Sequence, residues 1–258
     1  MFVKGPKSSQ QRQLFVTMSM QRSGSTWLTD LLNSHKNITA YTELFLKLGQ
    51  GAPDWGAYRD IPYWNTYRDE SQHVFRPAGI SAYLNMVHSQ HPESKAIGYK
   101  LMYSQFVRYP EILIYLVRKN AAIVHLQRRN TLDVVLSGMA KANRKVAHVT
   151  SGTAVEKVKL QVDVPLLKTQ ITKYERRKKY FGMVLSHLGL RYIDVYYEDL
   201  VKNADSANEL LGFLGVEEIN LCSDLVKLNP ALHSATIANC REVEKAFVGT
   251  PYRGYLRL

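Results

Sequence analysis

The chain has 258 residues, 45% hydrophobic and 22% charged, a globular profile rather than a disordered one and enough for a sizeable core in one or two domains. Its 34 Lys and Arg against 22 Asp and Glu leave a net charge of +12, which attracts anions: nucleic acid, acidic lipid or a multiply phosphorylated cofactor. Cys222 and Cys240 form no C-x-x-C pair and have no histidine at ligand spacing, which speaks against a disulfide framework or a structural zinc site, and no stretch reaches the ~18 apolar residues of a membrane span.

Residues 1–13 form a flexible polar tail without the apolar core of a signal peptide, so the expectation is an unanchored cytoplasmic protein with one domain over 14–258. Leu14–Met20 reads as the first strand, Gln21–Ser25 as a polar turn, and Trp27, Leu28, Leu31 and Leu32 recur at helical spacing. Residues 49–77, rich in Gly, Pro, Trp and Tyr, read as an irregular substrate-side segment. Then come a strand at Ala96–Leu101, a helix at Pro110–Lys119, a strand at Ala121–Gln127 and a helix at Asn130–Asn143. A long amphipathic helix, Val164–Leu188, leads to a strand at Tyr192–Tyr197 and a helix at Ser206–Leu214 closed by Gly215. Strands alternating with helices predict an α/β fold, a single domain with a central parallel sheet flanked by helices. In such sheets ligands sit beyond the carboxyl ends of the strands.

Two segments carry chemistry. The first, Met18 to Leu28, runs from strand through turn into helix. A helix N-terminus offers unpaired N–H groups and partial positive charge. Gly24 lets the backbone approach an anion, Ser23, Ser25 and Thr26 add hydroxyl donors, and Arg22 adds a charged one. Together they form a P-loop-like cradle for phosphate or sulfate. The second glycine and the lysine of a Walker A loop are absent.

The second segment, His125 to Ser137, again runs from strand to helix. Arg129 at the strand end and Ser137 about two turns into the helix suit phosphate oxygens, through a guanidinium fork and a short donor. Arg128 is a second arginine at the same place, and plain surface charge is the alternative for either.

Arg22-Ser23-Gly24-Ser25-Thr26-Trp27-Leu28 after a strand resembles the 5′-phosphosulfate loop of sulfotransferases that use 3′-phosphoadenosine 5′-phosphosulfate (PAPS). The Arg-Ser-Gly-Ser form is similar to the bacterial and carbohydrate branch, the nodulation-factor and glycolipid enzymes. Arg129-Asn130 with Ser137 resembles the same family's 3′-phosphate signature, and Val195 to Leu200 resembles its Tyr-Glu-Asp-Leu strand end. The resemblance covers most of the chain. It implies that Arg22, Ser23, Gly24, Ser25 and Thr26 hold the 5′-phosphosulfate and that Arg129 and Ser137 hold the 3′-phosphate. It further implies that Trp27 and Tyr197 meet the adenosine, with a core role the alternative for Trp27. The tail Gly249 to Tyr255 resembles the C-terminal segment of bacterial members, which makes Arg253 a candidate to close over the 3′-phosphate.

Sulfonyl transfer needs a base for the acceptor's proton and charge stabilisation for the leaving phosphate. The strand end that carries a histidine in the cytosolic branch reads Tyr99-Lys100-Leu101-Met102 here. The bacterial branch places a glutamate shortly after the first helix, which implies Glu43 as base; Lys100 is a candidate to position the sulfonyl group or the acceptor, with a surface lysine the alternative, and Arg22 joins them as a catalytic candidate. His35, expected to be exposed in a turn, is the fallback. Tyr41, Trp55, Tyr58, Tyr63, Trp64 and Tyr67 suggest either an acceptor pocket or core packing, and the basic run Lys173 to Lys179 reads as a solvated helix face. The expectation is therefore PAPS-dependent transfer without a metal to a carbohydrate or small-molecule acceptor, releasing 3′,5′-adenosine bisphosphate (PAP). A secondary-metabolite acceptor is an alternative within the same chemistry, and the oligomeric state stays open, a homodimer included. A P-loop kinase would need the missing Walker lysine, and nothing matches a nucleic-acid-binding motif.

Overall fold

The computed structural model describes residues 12–46, 61–71, 75–143, 159–225 and 232–258. In chain order the elements are β1 (Gln13–Ser19), α1 (Ser25–Asn33), β2 (Ile38–Glu43), α2 (Trp64–Glu70), α3 (Arg76–Ser89), β3 (Ala96–Met102), α4 (Tyr103–Arg108) and α5 (Glu111–Arg118). They continue with β4 (Ala122–Gln127), α6 (Thr131–Asn143), α7 (Val164–His187), β5 (Tyr192–Tyr196), α8 (Tyr197–Lys202), α9 (Ala204–Leu214) and α10 (Cys240–Phe247). The strands form one parallel sheet in the order β2-β3-β1-β4-β5.

The strands are apolar on both sides because helices cover both faces, the pattern expected of a parallel sheet. Val16, Met18, Ile97, Tyr99 and Leu101 pack with Ile80, Leu84, Ile112 and Leu116 of α3 and α5. On the opposite face Phe15, Ala96, Ala122, Val124 and Leu126 meet Leu28 and Leu32 of α1 and Leu210, Leu211 and Leu214 of α9. A Cβ at Gly98 would lie 2.3 Å from the Phe15 carbonyl, so glycine is what lets β1 and β3 pair closely there. A third cluster joins α6, α7 and α10 through Leu132, Leu136, Leu167, Ile171, Val243 and Phe247.

From central β1 the chain moves to β2 on one side, and from β4 it moves to β5 on the other. That divergence opens a crevice at the carboxyl ends of β1 and β4, where both phosphate-type segments lie.

Most expected elements lie within a residue or two of where periodicity puts them. The edge strand β2 is not among them. Its polar Thr39, Thr42 and Glu43 hide the pattern, and pairing with β3 supplies what its sequence lacks. Within 49–77, the described part holds α2 and the start of α3, and the remainder lies outside the described residues together with Trp55 and Tyr58. Trp64 and Tyr41 are each 1% exposed in the core, so for these two the aromatic density is packing rather than a pocket lining. Among the described residues, no helix is long and apolar enough to cross a membrane.

Candidate active site

The β1–α1 turn is shaped by backbone. Gly24 is the N-cap of α1 at φ 92°, no side chain caps the helix, and no acidic residue sits in its first turn. The first N–H groups of α1 thus have no side-chain cap, an arrangement that can accept an anion. Glycine is required there twice over: a left-handed φ strains any other residue, and a Cβ would lie 2.4 Å from Cδ2 of Tyr197. Arg22 also takes a positive φ of 67°. Ser23 and Ser25 are buried.

Arg22 reaches across to the second segment, donating from Nε to Oγ of Ser137 at 3.0 Å. Burial lowers its guanidinium pKa, against a smaller opposing pull from Tyr174. One hydrogen bond thus ties the β1 turn to α6.

At the ends of β2 and β3, Lys100 Nζ lies 3.2 Å from Glu43 Oε1 and donates to Thr26 Oγ1 at 3.1 Å. Gln105 Nε2 donates to the other carboxylate oxygen of Glu43 at 2.9 Å. Lys100 is only 7% exposed by side chain and Glu43 20%. A charge this buried requires a partner, so the two fix each other in place beside the first turn of α1. The register shift between Tyr41 and Glu43 is what brings Glu43 opposite Lys100.

The two adjacent arginines diverge. Arg128 turns inward, with Nε donating to Glu198 at 2.8 Å, Nη2 to Asp133 at 3.0 Å, and the guanidinium 4.2 Å from the centre of the Tyr197 ring. Arg129 turns outward onto Asp199 through two hydrogen bonds, at 2.6 and 3.2 Å, and lies over Tyr196. That pairing raises the Arg129 pKa and lowers that of Asp199. Arg129 is 56% exposed by side chain against 10% for Arg128. Trp27 is half-buried and meets Tyr197 edge-to-face at 5.0 Å.

A model of the sulfotransferase family matches residues 14–220. The chain belongs to the sulfotransferase family. A search of curated proteins finds no match. Among solved structures, the chain is similar to the sulfotransferase from Alicyclobacillus acidocaldarius, with 16% identity over 95% of this chain and 94% of that one and a TM-score of 0.49. It is also similar to mouse sulfotransferase SULT7A1 complexed with PAP, with 14% identity, 83% of this chain, 61% of that chain and a TM-score of 0.45.

Within this sulfotransferase the remaining expected residues are spread unevenly. Arg253 is exposed and bound to Glu244 at 2.9 Å. The C-terminal cation that meets the second segment is Arg257, which pairs with Asp133 beside Arg128, while its backbone N–H donates to His233 Nδ1 at 2.9 Å. His233 also contacts Asp133, through Nε2 at 2.9 Å. Arg257 carried no signal in the sequence, since it lies past the motif-like tail. His35 is 1% exposed, not exposed in its turn. The Asn37 N–H donates to its Nδ1 and its Nε2 lies 3.0 Å from the Glu217 carbonyl. Both ring nitrogens are engaged, which leaves none to act as a base.

A second histidine was missed altogether. His125, fully buried on β4, lies between Asp194, at 2.6 Å from Nδ1, and the Tyr103 hydroxyl on Nε2. A carboxylate only accepts, so the Asp194 hydrogen bond comes from His125 Nδ1, and it holds the Asp194 carboxyl below its ordinary range. Burial raises the Tyr103 pKa, and Tyr103 stacks on Phe181 at 3.9 Å. Among the described residues no group of three or more His, Cys, Asp or Glu is arranged to hold a metal ion.

Proposed function

We propose that this sulfotransferase takes its sulfonyl group from PAPS and passes it to a hydroxyl or nitrogen of a carbohydrate or small natural product, releasing PAP. The observation that carries this is the Arg22–Ser137 hydrogen bond, which joins the β1 turn to α6, the helix that follows the arginine-bearing end of β4. Two anion sites on one cofactor need two such arms held at a fixed separation. When bound, PAPS supplies an activated sulfonyl group on a phosphate leaving group.

In this assignment Ser23, Gly24, Ser25 and Thr26 hold the 5′-phosphosulfate through backbone and hydroxyl donors, and Arg22 adds charge. Trp27 and Tyr197 offer an aromatic corner for adenine. Ser137 and an arginine hold the 3′-phosphate. The inward turn of Arg128 supports it over Arg129, because Glu198 and Asp133 occupy only part of its five-donor fork. Arg257, beside Arg128 on Asp133, is a better-placed C-terminal cation than Arg253.

Glu43 is the proposed base. Lys100 orients it, and faces the sulfonyl oxygens from the same strand end through its contact with Thr26. The similarity of the Arg-Ser-Gly-Ser turn to the carbohydrate branch tilts the acceptor toward a sugar hydroxyl. The deciding test is calorimetric titration with PAP beside 5′-AMP, ADP and ATP at fixed salt. Tight, selective binding of PAP is expected; equal affinity for all four, or none, would refute the two-arm site.

A further inference from the structure

The basic run Lys173 to Lys179 is not one solvated face. On α7 the buried residues Leu167, Ile171, Phe181 and Leu185 form a single apolar stripe. Lys178 falls on that stripe, seven residues after Ile171 and three before Phe181, whereas Lys173, Arg176, Arg177 and Lys179 are exposed. Its side chain is 22% exposed and its ammonium lies 3.1 Å from Glu175.

A lysine on an apolar stripe pays desolvation that a leucine would not. Its only ion-pair partner among the described residues is Glu175, whose carboxylate also accepts hydrogen bonds from Thr131 and Tyr255. An ammonium has three donors, and Glu175 uses part of that capacity. Lys178 lines one pocket together with Ser23, Tyr103, Gln127, Arg128 and Thr131. That pocket spans the space between the β1 turn and the β4 strand end. Two cations and three hydroxyls stand on its wall beside the apolar Met20, Leu126 and Val134, and those donors suit an anionic oxygen.

We propose that Lys178 is a direct ligand of a phosphate group of the bisphosphate cofactor, supplied by α7 as a third element beside the two strand-end loops. The inference rests on the cofactor assignment made above. It gives a reason for a lysine in the apolar stripe: the phosphate takes the ammonium donors that Glu175 does not use.

The test is calorimetric titration of PAP, 3′-AMP and 5′-AMP into the wild type, K178M, K179M and E175Q/K178M. Methionine suits the apolar stripe, so K178M is expected to keep its melting temperature. K178M should bind PAP about ten- to thirtyfold more weakly, the scale of one lost hydrogen bond to a charged group. K179M, which removes the same charge from the solvent side, should stay within about twofold. A loss shared with 3′-AMP assigns the 3′-phosphate, and one shared with 5′-AMP assigns the 5′-phosphate; either supports the proposal. Equal behaviour of K178M and K179M would overturn it, as would recovery of affinity in E175Q/K178M, which would trace the loss to an uncovered Glu175. A wild type that binds no PAP would fail the cofactor assignment itself and this inference with it.

Discussion

The two loops that converge on the crevice are built by different physics. The β1–α1 turn presents backbone N–H groups, and its shape depends on one glycine whose missing Cβ admits the Tyr197 ring. The β4–α6 turn presents side chains, and its shape depends on which carboxylates claim which arginines: Glu198 and Asp133 hold Arg128, and Asp199 holds Arg129. A backbone site is specified by residues adjacent in sequence. A side-chain site is specified by partners some 70 residues away on α8 and more than 100 away in the C-terminal tail. The first kind is readable from a motif, and the second can be misassigned by one position.

The largest expected effect separates binding at both loops from chemistry. Glu43→Gln should leave PAP affinity near wild type while lowering turnover by about 10²- to 10⁴-fold, the usual range for a general base. Single-turnover assays with PAPS check this, and retained turnover would remove Glu43 from the role.

Next, Gly24→Ala tests the backbone arm alone. The φ of 92° and the 2.4 Å approach to Tyr197 must both be relieved by shifting the turn. PAP affinity should fall about 100-fold, as expected when several charge-assisted N–H contacts are misaligned together. Calorimetry beside a melting curve reads both effects, and wild-type affinity would show that the turn does not hold the ligand.

The arginine pair then tests the side-chain arm. Arg128→Ala should weaken PAP by about 10- to 100-fold, because it removes a largely buried phosphate donor. Arg129→Ala should change affinity by less than about threefold, since an exposed ion pair contributes little. The reverse ranking would return the 3′-phosphate to Arg129.

The smallest effect lies behind the loops, in the sheet. Asp194 is a carboxyl whose pKa is depressed by its hydrogen bond from His125. Such a group stabilises the fold above its unfolded pKa and loses that contribution as pH falls through its lower folded value. Asp194→Asn should cost about 1 kcal/mol near neutral pH, a figure kept low because the carboxylate is 44% exposed. The difference from wild type should shrink as the pH drops below about 3.8, the ordinary value for this carboxyl. Urea unfolding across that range gives the comparison, and a cost independent of pH would mean that the contact is not charge-assisted.

By itself the sequence determined what short-range physics determines. Hydrophobic periodicity over ten to fifteen residues marked β1, β3, β4, β5 and the long helices, and their alternation set the parallel sheet. Gly24 among hydroxyls after a strand marked the turn proposed as an anion cradle, because the strand, the turn and the helix start are contiguous. Tertiary structure decided the rest. The edge strand β2 forms because β3 offers it a ladder and places Glu43 against Lys100. His35 is closed off by the Glu217 carbonyl and the Asn37 N–H, His125 acquires Tyr103 and Asp194, and Arg257 rather than Arg253 reaches Asp133. In each case chemically equivalent side chains compete, and the winner is chosen by long-range packing and by the cost of leaving a buried charge without a partner.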